Sequence, residues 1–64
     1  MTLEIKDDLN NLDISVSHIT KVVEDKAAAY SDYKTFVVVY FAGGDTATLK
    51  GWTLEQWRAF IKSA

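Results

Sequence analysis

The sequence predicts a small α+β domain, in which an antiparallel sheet of three or four short strands carries one C-terminal helix on one face. Two patterns support this prediction. A β-hairpin is indicated over about 34–50, and a capped amphipathic helix follows over about 53–63. With 64 residues the chain corresponds to a single domain, 1–64, and is too short for doubly wound sheets or barrels.

The hairpin is predicted by two β-prone segments on either side of a glycine pair. The first segment, KTFVVVYFA (34–42), is dense in β-branched and aromatic residues, and the second is DTATLK (45–50). Gly43 and Gly44 lie between them. Because glycine adopts positive φ angles without steric cost, the pair favours a tight two-residue turn.

A two-residue turn sets the pairing of the strands, and with it the two faces of the hairpin. It places Val38 across from Leu49 and Tyr40 across from Ala47. One predicted face consists of Phe36, Val38, Tyr40, Ala47 and Leu49. The other consists of Thr35, Val37, Val39, Phe41, Thr46, Thr48 and Lys50.

The segment GWTLEQWRAFIKSA has the signature of a helix start. Thr53 and Gln56 predict a capping box, in which the two side chains bond free backbone N–H groups reciprocally. Trp52 and Trp57 have the spacing of a hydrophobic staple, which sets the angle at which the chain enters the helix. The apolar stripe of this helix consists of Leu54, Trp57, Phe60 and Ile61. We expect this stripe to pack on the sheet face that contains Val38.

The N-terminal half fits two interpretations. The apolar residues at helical spacing are Leu9, Leu12, Val16, Ile19 and Val23. The segment ISVSHITKVV (14–23), however, is rich in β-branched residues and serines, which favour a strand. We therefore predict a strand over 14–23, with a helix over 17–30 as the alternative. Residues 3–12 are expected to form a short strand or single helical turns at the edge of the core.

The charge composition argues against a nucleic-acid-binding protein. Seven Lys and Arg against nine Asp and Glu give a net charge of −2, and the basic residues are spread along the chain. Proteins that neutralise phosphates usually show a strongly basic face. A single-stranded nucleic-acid-binding function through Lys34, Lys50 and Arg58 is kept as the alternative. The aromatic residues near these cations are Tyr40, Phe41, Trp52 and Trp57.

No motif of the chain indicates catalysis, a metal or a cofactor. His18 is the only histidine, and although Ser15 and Ser17 are near it, neither an orienting acid nor an oxyanion-hole motif accompanies them. There is no cysteine for a zinc site. The segment DDLNNLD (7–13) lacks the ligand spacing and the glycine of a calcium loop, so turn formation explains it better. We expect a protein that is not an enzyme and holds no cofactor.

A row of large apolar side chains on the second sheet face is the most informative feature for function. Val37, Val39 and Phe41 form this row, although a solvated sheet face normally alternates with polar residues. Either the N-terminal half covers the row, or another molecule binds it. The binding interpretation predicts a contact made by Val37, Val39 and Phe41 and flanked by Tyr33 and Lys50, with another protein or a second copy of the chain as the partner.

The predicted function is non-catalytic protein binding. A short chain with a hairpin, a capped helix and no catalytic motif is typical of small accessory proteins of phages and mobile elements. Such proteins modulate or inhibit a larger protein by occluding its surface. No apolar segment approaches the roughly 20 residues that span a bilayer, and the first residues lack the regions of a signal peptide. We therefore expect a cytoplasmic protein without membrane contacts.

Overall fold

The computed structural model describes residues 1–64 and contains five strands, one 3₁₀ turn and one α-helix. The elements are β1 (Thr2–Lys6), β2 (Asn11–Ser15), the 3₁₀ turn (Val16–His18), β3 (Ile19–Lys26), β4 (Thr35–Phe41), β5 (Thr46–Lys50) and α1 (Leu54–Lys62). β1 and β2 form one antiparallel sheet, and β3, β4 and β5 form a second one in that order. The α+β fold, the three-stranded antiparallel sheet, the C-terminal hairpin and the C-terminal helix are confirmed.

The N-terminal half forms a hairpin and an edge strand. The strand predicted over 14–23 is divided in the structure, because β2 ends at Ser15 and β3 begins at Ile19 after the 3₁₀ turn. The alternative helix over 17–30 is wrong, since the β-branched residues of this segment pair with β4. Residues 3–12 contain most of β1, the turn after it and the start of β2.

The β4–β5 hairpin has a loop of three residues, 42–44, and not the two-residue turn that the glycine pair suggested. The loop is closed by the N–H of Phe41, which donates to the carbonyl oxygen of Asp45 over 2.9 Å. Gly43 and Gly44 have φ angles of 96° and 95°. Both positions therefore require the positive φ that glycine adopts freely, and the extra loop residue is accommodated beside them.

The longer loop shifts the strand pairing by one residue. Val37 lies opposite Leu49, and Val38 lies opposite Thr48, whereas the two-residue turn placed Val38 opposite Leu49. Residues directly across an antiparallel pair point to the same face of the sheet. The shift therefore moves Leu49 from the face of Val38 to the face of Val37, and the predicted assignment of faces is wrong.

The core lies on the Val37 face of the three-stranded sheet. The buried apolar residues are Ile5, Ile14, Val37, Val39, Leu49, Trp52 and Trp57. The N-terminal hairpin contributes Ile5 and Ile14 to this cluster. It therefore packs against Val37 and Val39, for which the sequence allowed either a core position or a contact with another molecule. Apolar residues of α1 pack against the same cluster. The prediction that the helix covers the Val38 face is therefore wrong, because that face contributes nothing to the core.

The start of α1 is capped by two side chains. The Thr53 hydroxyl accepts the N–H of Gln56 over 3.1 Å, as the sequence predicted. The side chain of Gln56 makes no return hydrogen bond, so only half of the predicted capping box forms. A carboxylate from the sheet adds a second cap, because Glu24 of β3 accepts the N–H of Leu54. A carboxylate at this end of a helix also complements the helix dipole.

Both tryptophans of the predicted staple lie in the core, where they are joined through Phe60. The Phe60 ring centroid lies 5.5 Å from that of Trp52 and 6.0 Å from that of Trp57. α1 has nine residues, and no helix of the protein is long and apolar enough to cross a membrane. The helix thus closes one side of the core and leaves the opposite face of the sheet free.

Candidate protein-binding surface

The free face of the three-stranded sheet, which we call the outer face, points away from the core. It consists of Lys21, Val23 and Asp25 from β3, Phe36, Val38 and Tyr40 from β4, and Thr46, Thr48 and Lys50 from β5. Alternation along the strands places these side chains opposite the buried ones. None of them belongs to the core cluster or packs against it. The core residues of the N-terminal hairpin and of α1 therefore lie on the other side of the sheet.

The centre of the outer face is apolar. Val23 lies directly across from Val38, and Phe36 and Tyr40 lie on either side of Val38 along β4. Tyr40 is 37% exposed, and the other three residues are half-buried. We call these four residues the apolar centre. Side chains directly opposite each other on one face of a sheet contact and stabilise each other.

Charged side chains lie around the apolar centre. Lys21 lies across from Tyr40 and places its Nζ 5.5 Å from the centroid of the tyrosine ring. Lys50 lies at the diagonally opposite corner, across from Phe36. Asp25 is the one acidic residue of the face, and its carboxylate accepts the backbone N–H of the next residue over 2.8 Å. The outer face therefore presents two lysines at opposite corners of an apolar surface.

The predicted contact row lies mainly in the core. Val37 and Val39 are 0% exposed, so the prediction that they form an exposed contact surface is wrong. Phe41 is half-buried and packs against the core. Tyr33, in the loop before β4, is half-buried too. Lys50 is exposed and lies on the outer face, so it is the one predicted residue that the structure places there.

The residues of the nucleic-acid alternative are not brought together. Lys50 lies on the outer face, whereas Arg58 is an exposed residue of α1, which packs on the other side of the sheet. Lys34 is exposed in the loop just before β4. Trp52 and Trp57 are 7% and 6% exposed, so neither offers a ring face to a base.

A polar cluster joins the N-terminal hairpin to the end of β5 and fixes the position of Lys50. The buried side-chain amide of Asn10 accepts the N–H of Lys50 over 2.9 Å and donates to its carbonyl oxygen over 3.0 Å. It thereby takes the place of a neighbouring strand. Asp7 accepts the amide of Asn10 and also the indole N–H of Trp52, the latter over 3.0 Å.

Hydrogen bonds donated to the Asp7 carboxylate lower its pKa. The largest contribution comes from the indole N–H of Trp52, and the next from the backbone N–H of Leu9. Both donors stabilise the charged carboxylate. The donors of this cluster thus favour the ionised form of Asp7, whose carboxylate joins the turn between β1 and β2 to Trp52 in the C-terminal half.

A separate cleft of about 480 Å³ contains the only histidine. The Ser15 hydroxyl lies 2.8 Å from Nδ1 of His18, and Asp13 and Asp45 also line the cleft. No carboxylate bonds the imidazole, so the pair lacks the third group that orients a catalytic histidine. The contact spans the 3₁₀ turn, and a local structural role explains it. No group of three or more acidic or histidine side chains is placed to hold a metal ion.

The residues that sequence reasoning missed are those of the apolar centre. The two-residue turn predicts that the helix covers Phe36, Val38 and Tyr40, because both faces of β4 are similarly apolar and only the loop length distinguishes them. The loop sequence is the one signal that could have indicated which face of β4 is free. A glycine pair preceded by Ala42 and followed by Asp45 also fits a three-residue hairpin loop.

No known protein family, curated protein or solved structure matches this chain. The outer face combines an apolar centre with exposed charges.

Proposed function

We propose that the protein is a non-catalytic binding domain that docks its outer face onto an apolar surface of another protein. The observation that carries this proposal is the apolar centre, which lies on the side of the sheet opposite the core cluster. An antiparallel sheet that faces water normally carries polar residues on the solvated side. Here the central strand carries Phe36, Val38 and Tyr40 on that side, which is the composition of a contact surface.

The charges of the outer face define the chemistry of the partner. Lys21 and Lys50 lie at opposite corners of the outer face, and Asp25 is its single acid. The complementary surface is an apolar patch flanked by carboxylates. Charges at the rim of an interface mainly steer association and select the partner, while apolar and aromatic residues at its centre supply most of the affinity.

The proposed action on the partner is occlusion. A chain of 64 residues has room for one core and one free sheet face, and its Ser15–His18 contact lacks an orienting acid. Binding therefore modulates or inhibits the partner by covering its surface, as expected of a small accessory protein. We also propose a cytoplasmic location, which rests on the cysteine-free sequence.

The proposal is tested by capture from nuclease-treated extract, followed by direct binding of the purified captured protein. The test variant is Val38→Lys, which places a charge at the middle of the apolar centre. The matched control is Ala59→Lys, which makes the same change of charge at an exposed position of α1. We expect Val38→Lys to raise the Kd at least about tenfold, since a charge at the centre of a desolvated contact is unfavourable. The control leaves the Kd unchanged.

Two outcomes would contradict the proposal. Equal binding by Val38→Lys and Ala59→Lys would show that the outer face is not the contact. Retention of nucleic acid instead of protein would favour the alternative function. In that case the affinity falls steeply with salt, and the added lysine at position 38 strengthens binding instead of weakening it.

A further inference from the structure

We propose that the open edge of β3 pairs with β3 of a second copy of the chain, which joins two three-stranded sheets into one continuous six-stranded sheet. β3 is the longest strand, with eight residues, and it lies at an edge of its sheet. Most of its side chains are exposed, namely Thr20, Lys21, Glu24, Asp25 and Lys26. A long uncovered edge strand is a template for pairing with another chain.

The main-chain groups needed for such pairing belong to Val22 and Glu24. The N–H of Ala27 donates to the carbonyl oxygen of Lys34, so Ala27 directs its main-chain groups toward β4. Alternation along an antiparallel ladder then directs the groups of Val22 and Glu24 away from β4. No residue of the chain bonds them. Glu24 caps α1 through its side chain, which leaves its main chain free.

Charge order along β3 selects the register of the pairing. Lys21 and Asp25 lie on the outer face, two residues before and two residues after Val23. They are about 13 Å apart along the strand, too far to pair within one chain. A two-fold axis through Val23 places each Lys21 opposite Asp25 of the second copy. Opposite charges directly across an antiparallel pair are favourable, and this register forms two such pairs by symmetry.

The neighbouring registers are less favourable. An axis through Glu24 would place this carboxylate against its own copy, and like charges directly opposite are destabilising. An axis through Val22 would place Lys21 opposite Val23 and leave both charges unpaired. Lysine at a sheet edge ordinarily discourages pairing with other strands. In the Val23 register the same lysine lies opposite Asp25 of the second copy and favours the pairing.

The proposed pairing adds a second interface, made by main-chain groups at the edge of β3, to the binding by the outer face. The central part of the new ladder contains about four main-chain hydrogen bonds, made by Val22 and Glu24 of each copy. The two outer faces become one surface, with the two Val23 side chains adjacent at the axis. The apolar centre doubles in area, which brings it closer to the roughly 800 Å² per partner of a stable interface.

The mass of the full chain in solution, measured by sedimentation over a hundredfold range of concentration, tests the proposal. We expect a transition from 7.2 kDa to twice that mass. Lys21→Asp and Asp25→Lys each replace two attractive pairs by two repulsive ones, so each raises the dissociation constant about tenfold or more. The double variant Lys21→Asp/Asp25→Lys restores both pairs and the wild-type constant. Circular dichroism of each variant verifies that the fold is kept.

Amide hydrogen exchange provides a second readout at the level of residues. In the dimer the amides of Val22 and Glu24 become protected as the concentration rises. The amides of Val23 and Asp25 bond to β4 in both states, so their protection does not depend on dimer formation.

A wild-type chain that stays at 7.2 kDa throughout the range would overturn the proposal. A dimer that both single charge variants leave unchanged would overturn it as well. Val38→Lys distinguishes this proposal from binding by the outer face, because Val38 lies on β4 and away from the edge. We expect that variant to dimerise like wild type while losing the partner protein. Loss of the dimer in Val38→Lys alone would assign self-association to the face and not to the edge.

Discussion

Val37 lies directly opposite Leu49 in the C-terminal hairpin, and both side chains are completely buried. This pair identifies the core face of the three-stranded sheet. Because side chains alternate along a strand, it also directs Val38 to the opposite face. The position of the outer face on the side opposite the core follows from this one pairing.

Asn10 is predicted to be a main contributor to stability. Its amide bonds both main-chain groups of Lys50, so Asn10→Ala leaves an N–H and a carbonyl without their partners. We expect a loss of about 1–3 kcal/mol in the free energy of unfolding, measured by urea denaturation. Asn11→Ala, at an exposed position of β2, is the control and should change this free energy by less than about 0.5 kcal/mol. Equal losses in the two variants would contradict the role of Asn10.

Asp7 is predicted to make stability depend on pH in the acid range. Its pKa lies below the ordinary value of 3.8, first because of the Trp52 indole N–H and then because of the Leu9 backbone N–H. The unfolded state therefore binds the proton more tightly. The stabilisation is fully present above pH 3.8 and is lost as the pH falls through the lower pKa of the folded state.

The corresponding measurement is urea denaturation of wild type and Asp7→Asn over a series of pH values. At neutral pH we expect Asp7→Asn to be the less stable protein, because its side-chain amide is a weaker acceptor for the Trp52 indole N–H. The difference in unfolding free energy between the two proteins begins to shrink below pH 3.8 and disappears once the pH is below the lowered pKa of folded Asp7, where the wild-type carboxylate is protonated. A difference that stays constant across the series would show that the charge of Asp7 is unimportant.

Much of this fold follows from local chemistry. The hairpin and the helix were predictable because β-branched residues, a glycine pair and the Thr53 cap act over a few neighbouring residues. The break in the strand predicted over 14–23 could not be predicted in this way. Ile14, Val16 and Ile19 belong to one continuous β-prone segment of the sequence, although a 3₁₀ turn interrupts it in the structure. Only tertiary pairing determines where such a run breaks.

The candidate site depends on a feature that local chemistry leaves open. β4 is apolar on both faces, so the hydrophobic pattern alone could not decide whether Val37 or Val38 faces the core. One additional loop residue determines that Val37, and not Val38, faces the core. A glycine pair is compatible with both loop lengths, so it does not predict which of them forms. A one-residue change in pairing exchanges the core face and the free face of a strand.

The glycine pair itself provides a test of the three-residue loop. Gly43 and Gly44 both have positive φ, and a Cβ atom at either position would meet no atom within 4 Å apart from those of the adjacent residues in the chain. Gly43→Ala and Gly44→Ala should therefore reduce the free energy of unfolding through backbone strain alone, by about 1–2 kcal/mol. Asparagine tolerates positive φ better than alanine does, so Gly44→Asn should recover part of the loss. Alanine variants as stable as wild type in thermal unfolding would contradict this loop geometry.

The most direct test of the account compares Val38→Lys with Val39→Lys, which make the same change at neighbouring residues on opposite faces of β4. A small cysteine-free core supplies only about 3–5 kcal/mol, and an unpaired buried charge costs more than that. We predict that Val39→Lys is unfolded in NMR spectra and in urea denaturation. Val38→Lys should remain folded, within about 1 kcal/mol of wild type. A folded Val39→Lys or an unfolded Val38→Lys would contradict the assignment of the outer face as a free surface.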